Sequence, residues 1–435
     1  MSARTWEGAR ARRTSARTIT AVPAWTLTAV LGLVYVILDL PSPDLATASY
    51  RSHLLSSEGL TLWDNAWYGG HHLIAYSLLS PALGALVGPQ LLAAVSMTLA
   101  TALFAALIDG HFPRRATRVA SLWFALGAAI ALLSCRVAFD LGLAIALGAL
   151  LAAQRDRRWL ALALTVLSSL ASPVAGAFLA LALIAWALAG PDRWPAALAL
   201  AALAPIGLLA LVFPEGGTQP FVASAFYPAL AGVLLIAVLI PPEQRALRIG
   251  AVLYALAMTG SYLISTAVGA NADRLGVVLG APLAACVLIG RRSPWRGLLL
   301  VALVVPLLYW QANAPVSDLA ASISDPGVSV SYYEPLLAEL RVLGVGYGGL
   351  STRPVRIEVV PDTTHWEARW VAPHVMIARG WERQLDRDHN GLFYDESHAL
   401  TAAGYRAWLN EQAVSYVALP DYTPDYSAEA EARLL

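Results

Sequence analysis

Apolar residues dominate the chain in long blocks from Pro23 to Trp310, separated by short stretches that hold nearly all the charge of that region. A helix needs ~20 apolar residues to cross ~30 Å of hydrocarbon, and somewhat fewer when it is tilted or lies inside a bundle; the blocks therefore predict about eleven crossings. They fall at 24–40, 88–108, 118–134, 137–153, 159–171, 174–189, 196–213, 227–240, 248–266, 275–290 and 297–311. The run from Leu160 to Ala189 is interrupted at Ser172-Pro173, which allows either two spans or a pair of half-helices meeting inside the protein. Ser77 to Val87 is too short to cross and reads as a re-entrant or interfacial helix.

Past Trp310 the chain turns polar and aromatic, which places the boundary of the membrane part near Gln311. Tyr332 to Leu340 predicts a helix, Val355 to Val360 a strand, Thr401 to Gln412 a helix capped by Thr401, and Ser415 to Leu419 a strand. The expected fold is an α-helical polytopic membrane protein with a small C-terminal α/β domain. Its divisions are an arginine-rich N-terminus at 1–22, a transmembrane domain at 23–311 with a large first external loop at 39–73, and the α/β domain at 312–435.

Composition agrees with this division. A hydrophobic fraction of 58% with only 13% charged residues excludes an ordinary soluble globule. There is no lysine, and the arginine, alanine and leucine usage points to a GC-rich bacterial genome. Arg10, Arg12, Arg13 and Arg17 ahead of the first apolar run give it the look of a secretory leader, but Ala46-Thr47-Ala48 lies too far beyond the run to be its cleavage site. The segment is expected to remain as the first membrane helix. Cys135 and Cys286 fall at opposite ends of the expected bundle and read as small apolar residues.

Arginine sets the orientation. Seventeen of the twenty arginines before Gln311 fall on one side of the predicted topology, leaving Arg51, Arg136 and Arg274 on the other. The positive-inside rule then puts the N-terminus in the cytoplasm and the C-terminal domain outside it, in a bacterial plasma membrane. That domain holds seventeen acidic residues against nine arginines, which argues against nucleic acid or an anionic lipid surface as its partner. Trp366, Trp370, Trp381, Trp408, Tyr394 and Tyr405 suit stacking on sugar rings, yet a domain this small needs most of them for its core.

Ionisable residues at membrane depth are costly, so where they gather is informative. The loop after the first helix holds Asp39, Asp44, Arg51, His53, Glu58, Asp64, His71 and His72, whereas the cytoplasmic loops are short and carry no convergent chemistry. Within it, Trp63, Asp64, Tyr68, His71 and His72 crowd around a Gly69-Gly70 turn, as an interfacial aromatic belt or as the wall of a polar pocket. Adjacent histidines seldom converge on one ion and no HxxxH or HExxH spacing is present, so neither a metal nor another cofactor is expected. Arg136 and Asp140, four apart at the start of a helix, form either an intrahelical pair or a lipid-phosphate site; Arg274 beside Asp273 has the same two readings.

An acid-bearing loop after the first helix, a short re-entrant stretch behind it, about eleven crossings and a C-terminal outer domain together resemble the GT-C class of polytopic glycosyltransferases. The stretch Gly59 to Gly70, with Trp63-Asp64 and Tyr68-Gly69-Gly70, is similar to the corresponding segment in GT-C-type proteins of the YfhO-like sort, a bacterial integral membrane glycosyltransferase-like group. The resemblance implies transfer of a sugar from a polyprenyl-phosphate donor to a cell-envelope glycan or lipid acceptor at the outer face, with an acidic residue of the first external loop as base. By position that residue is Asp44 or Asp39, and Asp44 follows Pro41-Ser42-Pro43, expected to be a stiff extended segment that fixes its carboxylate; the paired Asp-Glu dipeptide of many such enzymes is not present in this loop. Inverting transfer also needs cations at the leaving phosphate, for which Arg51, Arg136, Arg274, His71 and His72 are the candidates, with Asp64, Trp63 and Tyr68 lining the site. A carrier for a lipid or small molecule and a catalytically inactive GT-C-like scaffold subunit are the competing readings; a carrier commonly shows internal repeats, and none is found here.

Overall fold

The structure is a computed structural model and describes residues 22–290, 293–346, 355–395 and 397–435. The arginine-rich N-terminus and the Arg291-Arg292 pair used in the topology argument lie outside the described residues. The chain is mostly helical. Each predicted crossing corresponds to a helix: α1 (Ala24–Ile37), α4 (Pro89–Ile108), α5 (Arg114–Ala131), α6 (Val137–Gln154), α7 (Arg158–Ala171), α8 (Pro173–Ala189), α9 (Trp194–Val212), α10 (Ala223–Leu239), α11 (Arg245–Leu263), α12 (Arg274–Ile289) and α13 (Pro294–Ser324). Between the first two of these lie α2 (Pro43–Glu58) and α3 (Ser80–Val87).

Among the described residues, six helices are long and apolar enough to cross a membrane: α4, α6, α9, α11, α13, and α12 with the turn that precedes it. Helices α1, α7, α8 and α10 are apolar but shorter. Outward faces of α9, α10 and α13 leave Leu211, Val238 and Leu298 exposed, an apolar surface of the kind that lipid covers. Inside, the bundle closes on small residues. At Gly142 a Cβ would lie 2.8 Å from both Ala175 and Ser172, so glycine is what lets α6 approach α8. Ser172 ends α7 and caps α8 by accepting a hydrogen bond from the Ala175 N–H at 3.3 Å, so the Ser172-Pro173 break separates two helices.

Two expectations need correction. Helix α13 does not stop near Gln311 but runs to Ser324, carrying Asp318 on the same rod as the apolar residues below it. Its last turns are polar and carry Pro315, which hid the continuation. The Pro41-Ser42-Pro43 segment does not hold Asp44 on extended backbone either. Ser42 is an N-cap whose hydroxyl accepts from the Leu45 N–H, Pro43 takes the first helical position, and Asp44 sits in the first turn of α2.

Beyond α13 come α14 (Val330–Val342), β3 (Arg356–Val359), α15 (Glu367–Trp370), β4 (Met376–Ile377), α16 (Arg383–His389), α17 (Ala402–Glu411), β5 (Val414–Ala418) and α18 (Glu429–Ala432). The three strands form a parallel sheet in the order β4-β3-β5, with the buried Ile357 and Val359 on the central strand. Thr401 caps α17 by accepting from the Gly404 N–H. Trp366, Trp408 and Tyr405 are buried core residues.

This sheet packs directly on the long loop after α1. Within the loop, β1 (Trp63–Asp64) and β2 (His71–His72) form a short antiparallel ladder. Tyr50, Leu54, Trp67 and Tyr68 from the loop share one apolar cluster with Ile357, Val359, Val371 and Ile377. The Ile377 N–H donates to the Ala66 carbonyl at 2.9 Å, and Trp381 Nε1 donates to the Pro43 carbonyl at 2.8 Å.

Candidate functional site

Asp44, in the first turn of α2, faces the N-terminus of α6. Its Oδ2 lies 3.5 Å from Arg136 Nε, and Arg136 Nη2 lies 3.7 Å from Asp318 Oδ2 on α13. The guanidinium thus joins carboxylates from two other helices, in place of the Asp140 pair that was one of its two readings. Asp318 is oriented by the Ser134 hydroxyl, which donates to it at 2.6 Å, while Ser42 ties the start of α2 to the Ser134 carbonyl at 3.0 Å. Asp140 is fully buried one turn into α6, with Oδ2 lacking a hydrogen-bond partner. Arg274, at the start of α12, lies over the Phe139 ring at 5.6 Å and close enough to act on the charge of Asp44. Burial pushes the Asp44 carboxyl above its ordinary range, against the opposing pull of Arg136 and Arg274.

Of these groups Asp44 and Arg136 border a small polar pocket with a cavity volume of about 20 Å³, whereas Arg274, Asp140 and Asp318 lie outside its lining. Asp44, Thr47 and Arg51 from α2, Tyr76 and Ser80 from the α3 region, and Arg136 from the start of α6 form its walls. A second, apolar groove with a cavity volume of about 280 Å³ runs beside it under Leu54, Leu55, Leu60, Leu73, Ile74 and Leu78. Arg51 and Pro81 belong to both walls. Arg51 is buried, lies over the Tyr76 ring at 4.4 Å and forms an ion pair with Glu382 of the segment after β4. Its Nε and Nη1 have no hydrogen-bond partner.

The remaining candidates are not brought to the polar pocket. Asp39 is exposed in the turn after α1, with a left-handed backbone at φ 47°. Asp64 accepts from the Tyr50 hydroxyl at 2.7 Å and from the Ala66 N–H at 2.9 Å, which fixes the hairpin. Trp63 donates to Asn65 and covers Gly70, while Tyr68, at φ 58°, donates its hydroxyl to the Glu382 carbonyl. The histidines diverge: His71 is buried and stacked on Trp67 at 5.2 Å, whereas His72 Nδ1 lies 2.7 Å from Glu215. Of these, Tyr68, and His71 through its stack on Trp67, belong to the seam between the loop and the sheet.

Sequence reasoning missed Tyr76, Asp318 and Glu382. Tyr76 was legible as a polar aromatic just ahead of the re-entrant stretch. Asp318 lies beyond the apolar part of α13, in a stretch whose polarity resembles a soluble segment, and nothing local links Glu382 to Arg51.

A second buried charge cluster belongs to the domain itself. Arg379 donates to Asp386, Glu431 and Ser427, and all four side chains are buried. A buried arginine with two carboxylates and a hydroxyl already in place ties the segment after β4 to α16 and α18.

The geometry describes a carboxylate and clustered guanidiniums bordering a small polar pocket that meets an apolar groove at Arg51. No protein-family model, curated protein or solved structure matches the chain.

Proposed function

We propose that the chain is a GT-C-type glycosyltransferase of the bacterial plasma membrane, crossing about eleven times, with its C-terminal domain outside the cytoplasm. It moves a sugar from a polyprenyl-phosphate donor to a cell-envelope glycan or lipid. The observation that carries this reading is the junction of the two cavities: anion-binding groups on one side of Arg51 and a long apolar wall on the other. A phosphate attached to a hydrocarbon chain needs both, in that order.

In this reading the prenyl chain lies along Leu54, Leu73 and Leu78, and the phosphate meets Arg51, Arg136 and Arg274. Asp44 accepts the proton of the acceptor hydroxyl as its oxygen forms the new bond to the anomeric carbon. The bond from that carbon to the phosphate oxygen breaks with its electron pair staying on the phosphate, where the guanidiniums stabilise the added charge. Configuration at the anomeric carbon inverts. The raised affinity of Asp44 for a proton suits a base that must hold one during the step.

The test is transfer of labelled sugar from a polyprenyl-phosphate donor to envelope acceptors by protein in proteoliposomes. Wild type should transfer and Asp44→Asn should not. Equal transfer by both removes Asp44 as the base.

A further inference from the structure

The polar pocket as it stands admits on the order of one water molecule, with about 20 Å³ open to a water centre. A phosphate with a sugar attached is far larger, so some wall has to give. Most of that wall is helix packed on helix. Arg51 differs, because its partner comes from another part of the fold: Glu382, in the segment that follows β4.

We propose that Glu382 is a latch, occupying the guanidinium of Arg51 until a phosphate displaces it, so that donor binding loosens the 378–383 segment from α2. This rests on the reading of the pocket as a donor site. A carboxylate and a phosphate on one buried guanidinium repel each other, and little water is at hand to screen them. Arg51 Nε and Nη1 are buried without acceptors, so an incoming phosphate finds donors that are not yet engaged. Once Glu382 leaves, its segment keeps fewer ties to the loop: Trp381 Nε1 to the Pro43 carbonyl at 2.8 Å and the Tyr68 hydroxyl to the Glu382 carbonyl at 2.9 Å. Pro43 immediately precedes Asp44, so the segment that grips Arg51 also grips the end of α2 that carries the carboxylate. Glu382 is therefore a positioning residue that makes donor binding and loosening of the 378–383 segment one event.

The experiment measures binding of a polyprenyl monophosphate, with the phosphate-free polyprenol as the reference probe, to protein in nanodiscs of zwitterionic lipid. Wild type should prefer the phosphate form, Arg51→Gln should lose that preference, and Glu382→Gln should bind it tighter, on the order of tenfold, because the binding-competent state no longer competes with a charged carboxylate. In wild type, amide exchange over 378–383 should speed up when the monophosphate binds. Unchanged or weaker binding by Glu382→Gln, or wild-type exchange over 378–383 that does not rise, overturns the latch while an Arg51-dependent phosphate preference keeps the donor reading. If wild type does not distinguish the phosphate from the alcohol, the donor reading fails and the latch with it.

Discussion

Arg136 Nε lies 3.5 Å from Asp44 Oδ2, and the other end of the same guanidinium lies 3.7 Å from Asp318 Oδ2, so one cation joins α2, α6 and α13. Its planar fork suits this task, and a lysine ammonium would not span both carboxylates. Removing it should therefore do more than delete a charge. Arg136→Gln is expected to lower transfer by about 10²- to 10³-fold, the usual scale for one stabilising donor, with Arg136→Lys recovering only part. Steady-state rates of the three proteins check this; full recovery by lysine would reduce Arg136 to a point charge.

Asp39 and Asp44 separate cleanly. Asp44→Asn should cost ~10² to 10⁴ in turnover, the contribution of a positioned base, while donor binding stays nearly intact. Asp39→Asn should keep wild-type turnover, because Asp39 is exposed in the turn after α1 and borders neither cavity. Loss of turnover in Asp39→Asn with retention in Asp44→Asn would move the base to Asp39.

The seam between the loop and the sheet should be sensitive to acid. Burial, with help from Arg51 and His389, lowers His71 from its ordinary 6.5 to about 3. Between those values the unfolded chain binds a proton that the folded chain refuses, so this contribution is complete above the unfolded value and is lost as pH falls toward the folded one. Thermal unfolding in detergent should thus lose stability from pH 7 to pH 4, and His71→Gln should flatten that slope. An unchanged slope in the variant would place the acid sensitivity elsewhere.

Gly380 tests the packing of the same seam. A Cβ there would lie 2.7 Å from Trp67 Cβ and Cγ, and Trp67 is fully buried between Tyr50 and His71. Gly380→Ala should cost about 1–3 kcal/mol, the range for overpacking, whereas Gly391→Ala, with nothing within 4 Å, should be close to neutral. Chemical unfolding of the two variants decides it.

The helices were legible because a chain in lipid must satisfy its backbone internally, which makes long apolar runs unambiguous. Their ends were less so. Gln311, Asn313, Pro315 and Asp318 read as the start of a soluble part, yet the helix continues through Pro315, and Asp318 has partners across the bundle. The cap of α2 was legible in Ser42-Pro43 as a standard helix start, but the proline-rich stretch before Asp44 outweighed it. Asp44, Arg51, Arg136 and Arg274 stood out as rare charges in an apolar chain. Which of them meet depends on contacts far apart in sequence, and the Arg51–Glu382 pair has no local signal at all.

The most direct measurement of the central claim is a structure of the protein with a polyprenyl phosphate bound, with the head group located. The phosphate is expected against Arg51, Arg136 and Arg274, near Asp44, with the prenyl chain in the groove under Leu54, Leu73 and Leu78. A head group seated away from these arginines, with the groove empty and the Arg51–Glu382 pair undisturbed, would contradict it.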